Sequence, residues 1–159
     1  QQIIDFIDKL VDIYEKKDFE RLKDLYYLGD KAFYIDNPGF MTVISLKTED
    51  QFFEKRKLSS TSEHPPRFEK WAKHNYETGW SKNGCFVQEV TSNNLFTRIY
   101  DTMEEYDLET SAEDAKIASE LEKITKYQIL FTENIMRFYI AKKDGNWMIT
   151  GIGTWDFDS

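Results

Sequence analysis

Met136 to Phe157, MRFYIAKKDGNWMITGIGTWDF, reads as two long alternating strands joined by Asp144-Gly145. An Asp-Gly pair between alternating apolar runs is a strong hairpin signal, because both central residues of a type I′ turn need positive φ. The turn also sets a register. With Lys143 opposite Asn146, Ile140 faces Ile149, Phe138 faces Gly151 and Met136 faces Gly153 on one side of the sheet, with Trp147 and Trp155 near its ends. Glycines set against large side chains leave room and permit bending, as in a sheet that curls around a cavity.

Outward from this hairpin the chain fits one domain over residues 1–159, long enough to bury most of its apolar surface in one core. Aromatic residues make up 16%, which excludes disorder and points to a core or cavity built from rings. The 29 acidic residues against 21 basic give a charge of -8, which repels phosphate backbones and argues against a nucleic acid partner. Cys85 is alone, so the chain has no internal disulfide and no cysteine metal site. No apolar run is long enough to span a membrane, and no signal-peptide pattern is present. A start at Gln1-Gln2 without Met fits an upstream export signal or lipid-anchor segment that this chain lacks, and leaves the compartment unassigned.

Ile3, Ile7, Leu10 and Tyr14 follow helical spacing, Asp18 can cap a second helix carrying Phe19, Leu22, Leu25 and Tyr26, and Gly29 can end it. Ala32 to Asp36 is β-like and runs into the turn signal Asn37-Pro38-Gly39, with Met41 to Leu46 as a second short strand. Thr48 to Gln51 reads as a capping box for a third helix through Phe52 and Phe53. Ser59 to Pro66 is a loop, and Phe68 to Asn75 a short helix. Cys85–Thr91 and Leu95–Asp101 read as a hairpin, Ser111–Ile124 as a helix, and Tyr127–Phe131 as a strand leading into the final hairpin.

This ordered series, with Asp36-Asn37-Pro38-Gly39 after the first strand, the paired Phe52 and Phe53, and the closing Asp144-Gly145-Asn146-Trp147-Met148-Ile149, resembles the nuclear-transport-factor-2-like superfamily. The resemblance is clearest over residues 1–58 and 125–157. It implies an α+β fold in which a strongly bent antiparallel sheet wraps N-terminal helices into a cone with a pocket, residues 59–124 being an elaborated loop with extra helices. The family holds isomerases, dehydratases, epoxide hydrolases and binding proteins, so it implies fold more than reaction.

The first functional expectation is a non-enzymatic domain that binds a small apolar or aromatic ligand, or a protein partner, in a pocket lined by Tyr14, Tyr34, Trp71, His74, Phe138, Trp147 and Trp155. The alternative is a lyase or isomerase with Asp36 or Asp101 as base and a tyrosine such as Tyr34 stabilising an enolate, although ordinary turn chemistry already accounts for Asp36. A third expectation is a purely structural dimerisation module. Arg98, Asp101, Asp107 and Arg137 supply the residue types of an epoxide hydrolase, but Arg98 and Asp101 would face opposite sides of a strand. With only His64 and His74, a multi-histidine metal site is excluded, and no cofactor signature is read. The acidic run Asp101 to Glu122 could bind a cation or a basic partner, but it lacks the Gly and alternating oxygen ligands of a calcium loop and reads rather as a solvated helix and loop surface. The outer face of the final hairpin, with Ile135, Tyr139, Ala141, Met148 and Ile152, is too apolar for solvent. It needs a cover, from a second copy of the chain or from the Ser111–Ile124 helix.

Overall fold

The Asp144-Gly145 turn forms as its sequence requires, with φ of 51° and 82° at its two residues. It joins β7 (Met136–Lys143) to β8 (Asn146–Gly153), starting from Lys143 opposite Asn146 and keeping the expected register as far as Ile140 opposite Ile149. There Thr150 is inserted as a bulge, and every later pair moves by one: Tyr139 faces Gly151, Phe138 faces Ile152 and Arg137 faces Gly153. The placement of the two glycines against Phe138 and Met136 is thereby corrected. The cause is side-chain hydrogen bonding that alternation does not display. Thr150 is fully buried, and its hydroxyl lies 3.2 Å from the Tyr139 carbonyl and 2.9 Å from the Thr125 hydroxyl. These bonds hold the extra residue in place.

The computed structural model describes residues 2–37, 41–48, 53, 57–58, 65–68, 74–75, 79–80 and 84–153, with the pairs 74–75 and 79–80 given by their backbone. The expected turn at Pro38-Gly39, most of the helix through Phe52 and Phe53, Trp71, His64 and Trp155 lie outside these residues.

The chain opens with α1 (Gln2–Lys16), whose buried stripe Ile3, Phe6, Ile7, Leu10, Ile13 and Tyr14 is the periodic set of an amphipathic helix. Asp18 caps the short α2 (Phe19–Lys23), its carboxylate accepting from Arg21 N at 3.3 Å. α2 stops before Leu25 and Tyr26, because that stretch is drawn alongside β8 instead: Ile149 N donates to Leu25 O at 2.6 Å, and Tyr27 N to Ile149 O at 2.9 Å.

Six strands form one open, mixed sheet in the order β2-β1-β8-β7-β6-β5. β1 (Ala32–Asp36) pairs antiparallel with β2 (Val43–Lys47) and parallel with β8, while β5 (Cys85–Glu89), β6 (Tyr127–Phe131), β7 and β8 are antiparallel neighbours. The expected all-antiparallel sheet is therefore corrected to a mixed one. A parallel pair needs a long crossover, and here everything between β1 and β8 supplies it. His74–Asn75 (β3) and Gly79–Trp80 (β4) form a separate two-stranded pair, so the short helix expected to reach Asn75 does not include its last two residues.

The hairpin expected from Cys85–Thr91 and Leu95–Asp101 does not form. β5 pairs with β6, and residues Thr97–Glu105 are a helix, α3, packed beside α4 (Ala112–Ile124). Local composition there favours a strand, but Phe96, Ile99, Tyr100 and Met103 fall on one helical face and are all buried.

The sheet is covered on both faces. Ala32, Tyr34, Phe138, Ile140, Ile149 and Ile152 join the α1 side chains in one core. Phe33, Ile35 and Tyr139 join Phe96, Ile99, Tyr100, Met103, Ala118 and Leu121 of the α3–α4 side in another. At Tyr139, α3 and α4 thus supply cover for the apolar outer face within one chain, while Ile152, expected on that face, is turned by the bulge into the α1 core.

Glu122 of α4 fixes how α3 sits. Its carboxylate accepts from Phe96 N at 2.8 Å, Thr97 N at 2.9 Å and the Thr97 hydroxyl at 2.8 Å, while Phe96 at the N-cap makes no side-chain cap of its own. A buried carboxylate on the free N–H groups of a neighbouring helix satisfies those donors and complements the helix dipole.

Candidate functional site

Three of the residues expected to line a pocket are in contact with other aromatic side chains. Tyr14, Tyr34 and Phe138 are buried; Tyr14 lies 4.8 Å from Phe53 and 5.8 Å from Phe138, centroid to centroid, and Phe131 packs edge-on to Phe138 at 5.9 Å. The Tyr34 hydroxyl is hydrogen-bonded to that of Tyr26, which also donates to Thr48 O at 2.9 Å. All three share a core with the α1 side chains. His74 lies on the separate β3 strand.

Trp147 has a different environment. It is half-buried, held edge-on by Tyr127 at 5.4 Å with the Lys142 ammonium 5.3 Å from its ring centre, and it lines a cleft of about 630 Å³. Three parts of the chain build this cleft: the α1 stripe Gln2, Asp5, Phe6, Lys9 and Ile13, the end of α2 with Arg21, Asp24 and Leu25, and the hairpin turn Gly145–Met148. The spacing along α1 follows one face of a helix. The backbone bonds between Leu25, Tyr27 and Ile149 bring the second part against the third, and Lys143 Nζ donates to Tyr27 O at 2.7 Å on the same seam. Phe6, Ile13 and Leu25 make a buried apolar floor, and Trp147 and Met148 form a half-buried wall.

The rim carries charge of both signs. The Arg21 guanidinium lies 2.9 Å from Asp12, and this hydrogen bond, followed by that of Lys16 at 3.1 Å, lowers the Asp12 carboxyl below its ordinary value. Both partners are substantially exposed, so the pair orients Arg21 more than it stabilises the fold. Arg21 and Lys9 place two cationic groups at the rim, beside Asp5 and Asp24.

The candidates for proton-transfer chemistry are not brought together. Asp36 is half-buried at the end of β1, its carboxylate accepting from Asn37 N at 2.8 Å, which is turn chemistry. Asp101 is exposed on α3, not on a strand, so the face argument separating it from Arg98 no longer applies. Arg137 is buried behind the sheet with its guanidinium 3.4 Å from the Tyr139 hydroxyl, and Asp107 is exposed after α3 with φ of 57°. Among the described residues no group of three or more His, Cys, Asp or Glu is placed to hold a metal ion. No helix among them is long and apolar enough to cross a membrane.

Of the seven residues expected to line a pocket, Trp147 is on the wall of this cleft, and the other residues lining it were not among them. The α1 stripe was visible as periodicity, but its half-polar edge reads as an ordinary solvated boundary until the hairpin turn is laid beside it. A comparison with family models, curated proteins and solved structures finds no match to this chain.

Proposed function

We propose that this chain is a non-enzymatic binding domain whose ligand is a small molecule with an apolar or aromatic body and an anionic end, seated in the cleft between α1, the end of α2 and the β7–β8 turn. The observation that carries this reading is the wall of the cleft. Trp147 stands half-buried over an apolar floor of Phe6, Ile13 and Leu25, with Lys9 and Arg21 at the rim. A concave apolar surface with a few oriented polar groups is the general form of a small-ligand site. An aromatic body displaces water from Trp147 and the floor, and the cationic side chains fix its anionic end. The order of elements, two helices followed by β1–β2 and a closing run of antiparallel strands, supports a nuclear-transport-factor-2-like architecture; α3 and α4 on the outer face are additions to it.

The test is a titration of the isotope-labelled chain with 1-naphthoate, followed by amide and indole NMR shifts. The expected result is saturable shifts confined to Lys9, Leu25 and Gly145–Met148, including the Trp147 indole, with affinity about tenfold weaker in Trp147→Ala and weaker in Lys9→Glu. Shifts scattered over the surface, or affinity indifferent to Trp147→Ala, overturn the reading and leave a structural module.

A further inference from the structure

On the opposite side of the molecule, a second cleft of about 280 Å³ opens between β2 and the α3–α4 connection. It is lined by Ile44, Ser45, Tyr100, Glu109, Thr110, Ser111 and Asp114. One of these residues is out of balance. Tyr100 is only 4% exposed, and its hydroxyl has no hydrogen-bond partner among the described residues. A buried hydroxyl without a partner costs free energy, so a ligand group that bonds to it gains that free energy. Burial, and after it the Asp114 carboxylate, pushes the phenol above its ordinary value, so it stays neutral at physiological pH and can accept a hydrogen bond as well as donate one.

The chemistry of the lining selects the partner. Two carboxylates, Glu109 and Asp114, line the cleft, and among the described residues no basic side chain does. The N-terminus of α4 points its dipole here, with Ser111 accepting from Asp114 N at 3.2 Å, but a helix end contributes about half a positive charge and Glu113 and Asp114 sit in its first turn. The two lining carboxylates outweigh that half charge, and Asp101, Glu104, Glu105 and Asp107 are exposed on and after α3. Among the described residues no three His, Cys, Asp or Glu side chains converge here to hold a metal ion. The acceptors are instead one phenol oxygen, two carboxylates and the Ser45 hydroxyl, spread around a small opening. A primary ammonium, with three donors on a compact charge, fits such a set.

We infer that the cleft between β2 and the α3–α4 connection is a binding site for a primary ammonium group, held by the Tyr100 hydroxyl, Asp114 and Glu109. This site is separate from the cleft around Trp147 and does not depend on it. The ammonium can come from a free polyamine or from a lysine side chain of a peptide, and the experiment separates the two.

The full chain is titrated in low salt with spermidine and, separately, with the acetylated and amidated peptide Gly-Lys-Gly, while amide shifts are followed by NMR. Tyr100→Phe removes the hydroxyl alone, and because that hydroxyl has no partner the variant is expected to fold at least as stably as the parent. Asp114→Asn removes a charge and leaves the backbone N–H that Ser111 caps. The expected result is saturable shifts centred on Ser45, Tyr100 and Thr110–Asp114, with affinity reduced about tenfold in each variant. The tighter of the two probes identifies the source of the ammonium. Affinity that falls with Asp114→Asn but is untouched by Tyr100→Phe would show only diffuse attraction to an acidic surface and overturn the site. Shifts elsewhere, or none at millimolar probe, would overturn it as well.

Discussion

Gly151 leaves a methyl group less than ordinary van der Waals room. A Cβ built there meets two atoms of the Phe96 ring at 3.1 Å and the Tyr139 ring at 3.2 Å, and both rings are locked in the outer core. Gly151→Ala is therefore expected to lower unfolding stability by about 1–3 kcal/mol, read from the urea midpoint. Gly145 differs in kind: space around it is open, but its φ of 82° strains any side chain, so Gly145→Ala should cost about 1 kcal/mol through backbone conformation alone. Cys85 is 1% exposed, and burial pushes its thiol from 9.0 up to about 12. In the native state it should stay unreactive toward an aromatic disulfide reagent at pH 8, and react once urea unfolds the chain. The linkage has a definite sign. The folded chain holds the thiol proton more tightly than the unfolded one, so this contribution is intact below about pH 9 and is lost as pH rises toward 12. Removing the thiol with Cys85→Ala should flatten that part of the stability–pH curve.

At the scale of elements, α3 depends on a cap that belongs to another helix. Glu122→Ala would strand the Phe96 and Thr97 N–H groups and the Thr97 hydroxyl, and is expected to destabilise the chain by about 2–4 kcal/mol; Glu122→Gln, which keeps an accepting oxygen without the charge, should cost less. Urea denaturation of both variants checks the order. This contact also explains a misreading. Leu95 to Asp101, rich in Phe, Thr, Ile and Tyr, has strand-like composition, and the helical set Phe96, Ile99, Tyr100 and Met103 becomes decisive only when extended beyond Asp101. A glutamate on the apolar stripe of α4, beside Ala118 and Leu121, was the available signal that the helix carries a buried polar task. The α4 start was legible, because Ser111 caps it locally, whereas the α3 cap lies 25–26 residues away in sequence and leaves no local trace.

For the molecule as a whole, two helical layers enclose a sheet whose central strands are buried on both faces. Amides in the middle of β1, β7 and β8 should exchange slowest with deuterium, and those of β2, a sheet edge with alternating exposure, markedly faster. Features with short-range causes were legible in the chain alone. These were the amphipathic α1, the Asp18 and Ser111 caps, the positive-φ turn at Asp144-Gly145, and the strands at Ala32–Asp36 and Tyr127–Phe131. Each rests on a propensity, a period or a capping bond spanning a few residues. Tertiary contacts set the Thr150 bulge, the parallel seam between β1 and β8, the helical state of α3, the ring contacts around Phe138 and the positions of both clefts. All of these depend on burial and hydrogen bonds between residues far apart in the chain, where the free energy of packing outweighs the smaller local preferences that a sequence displays.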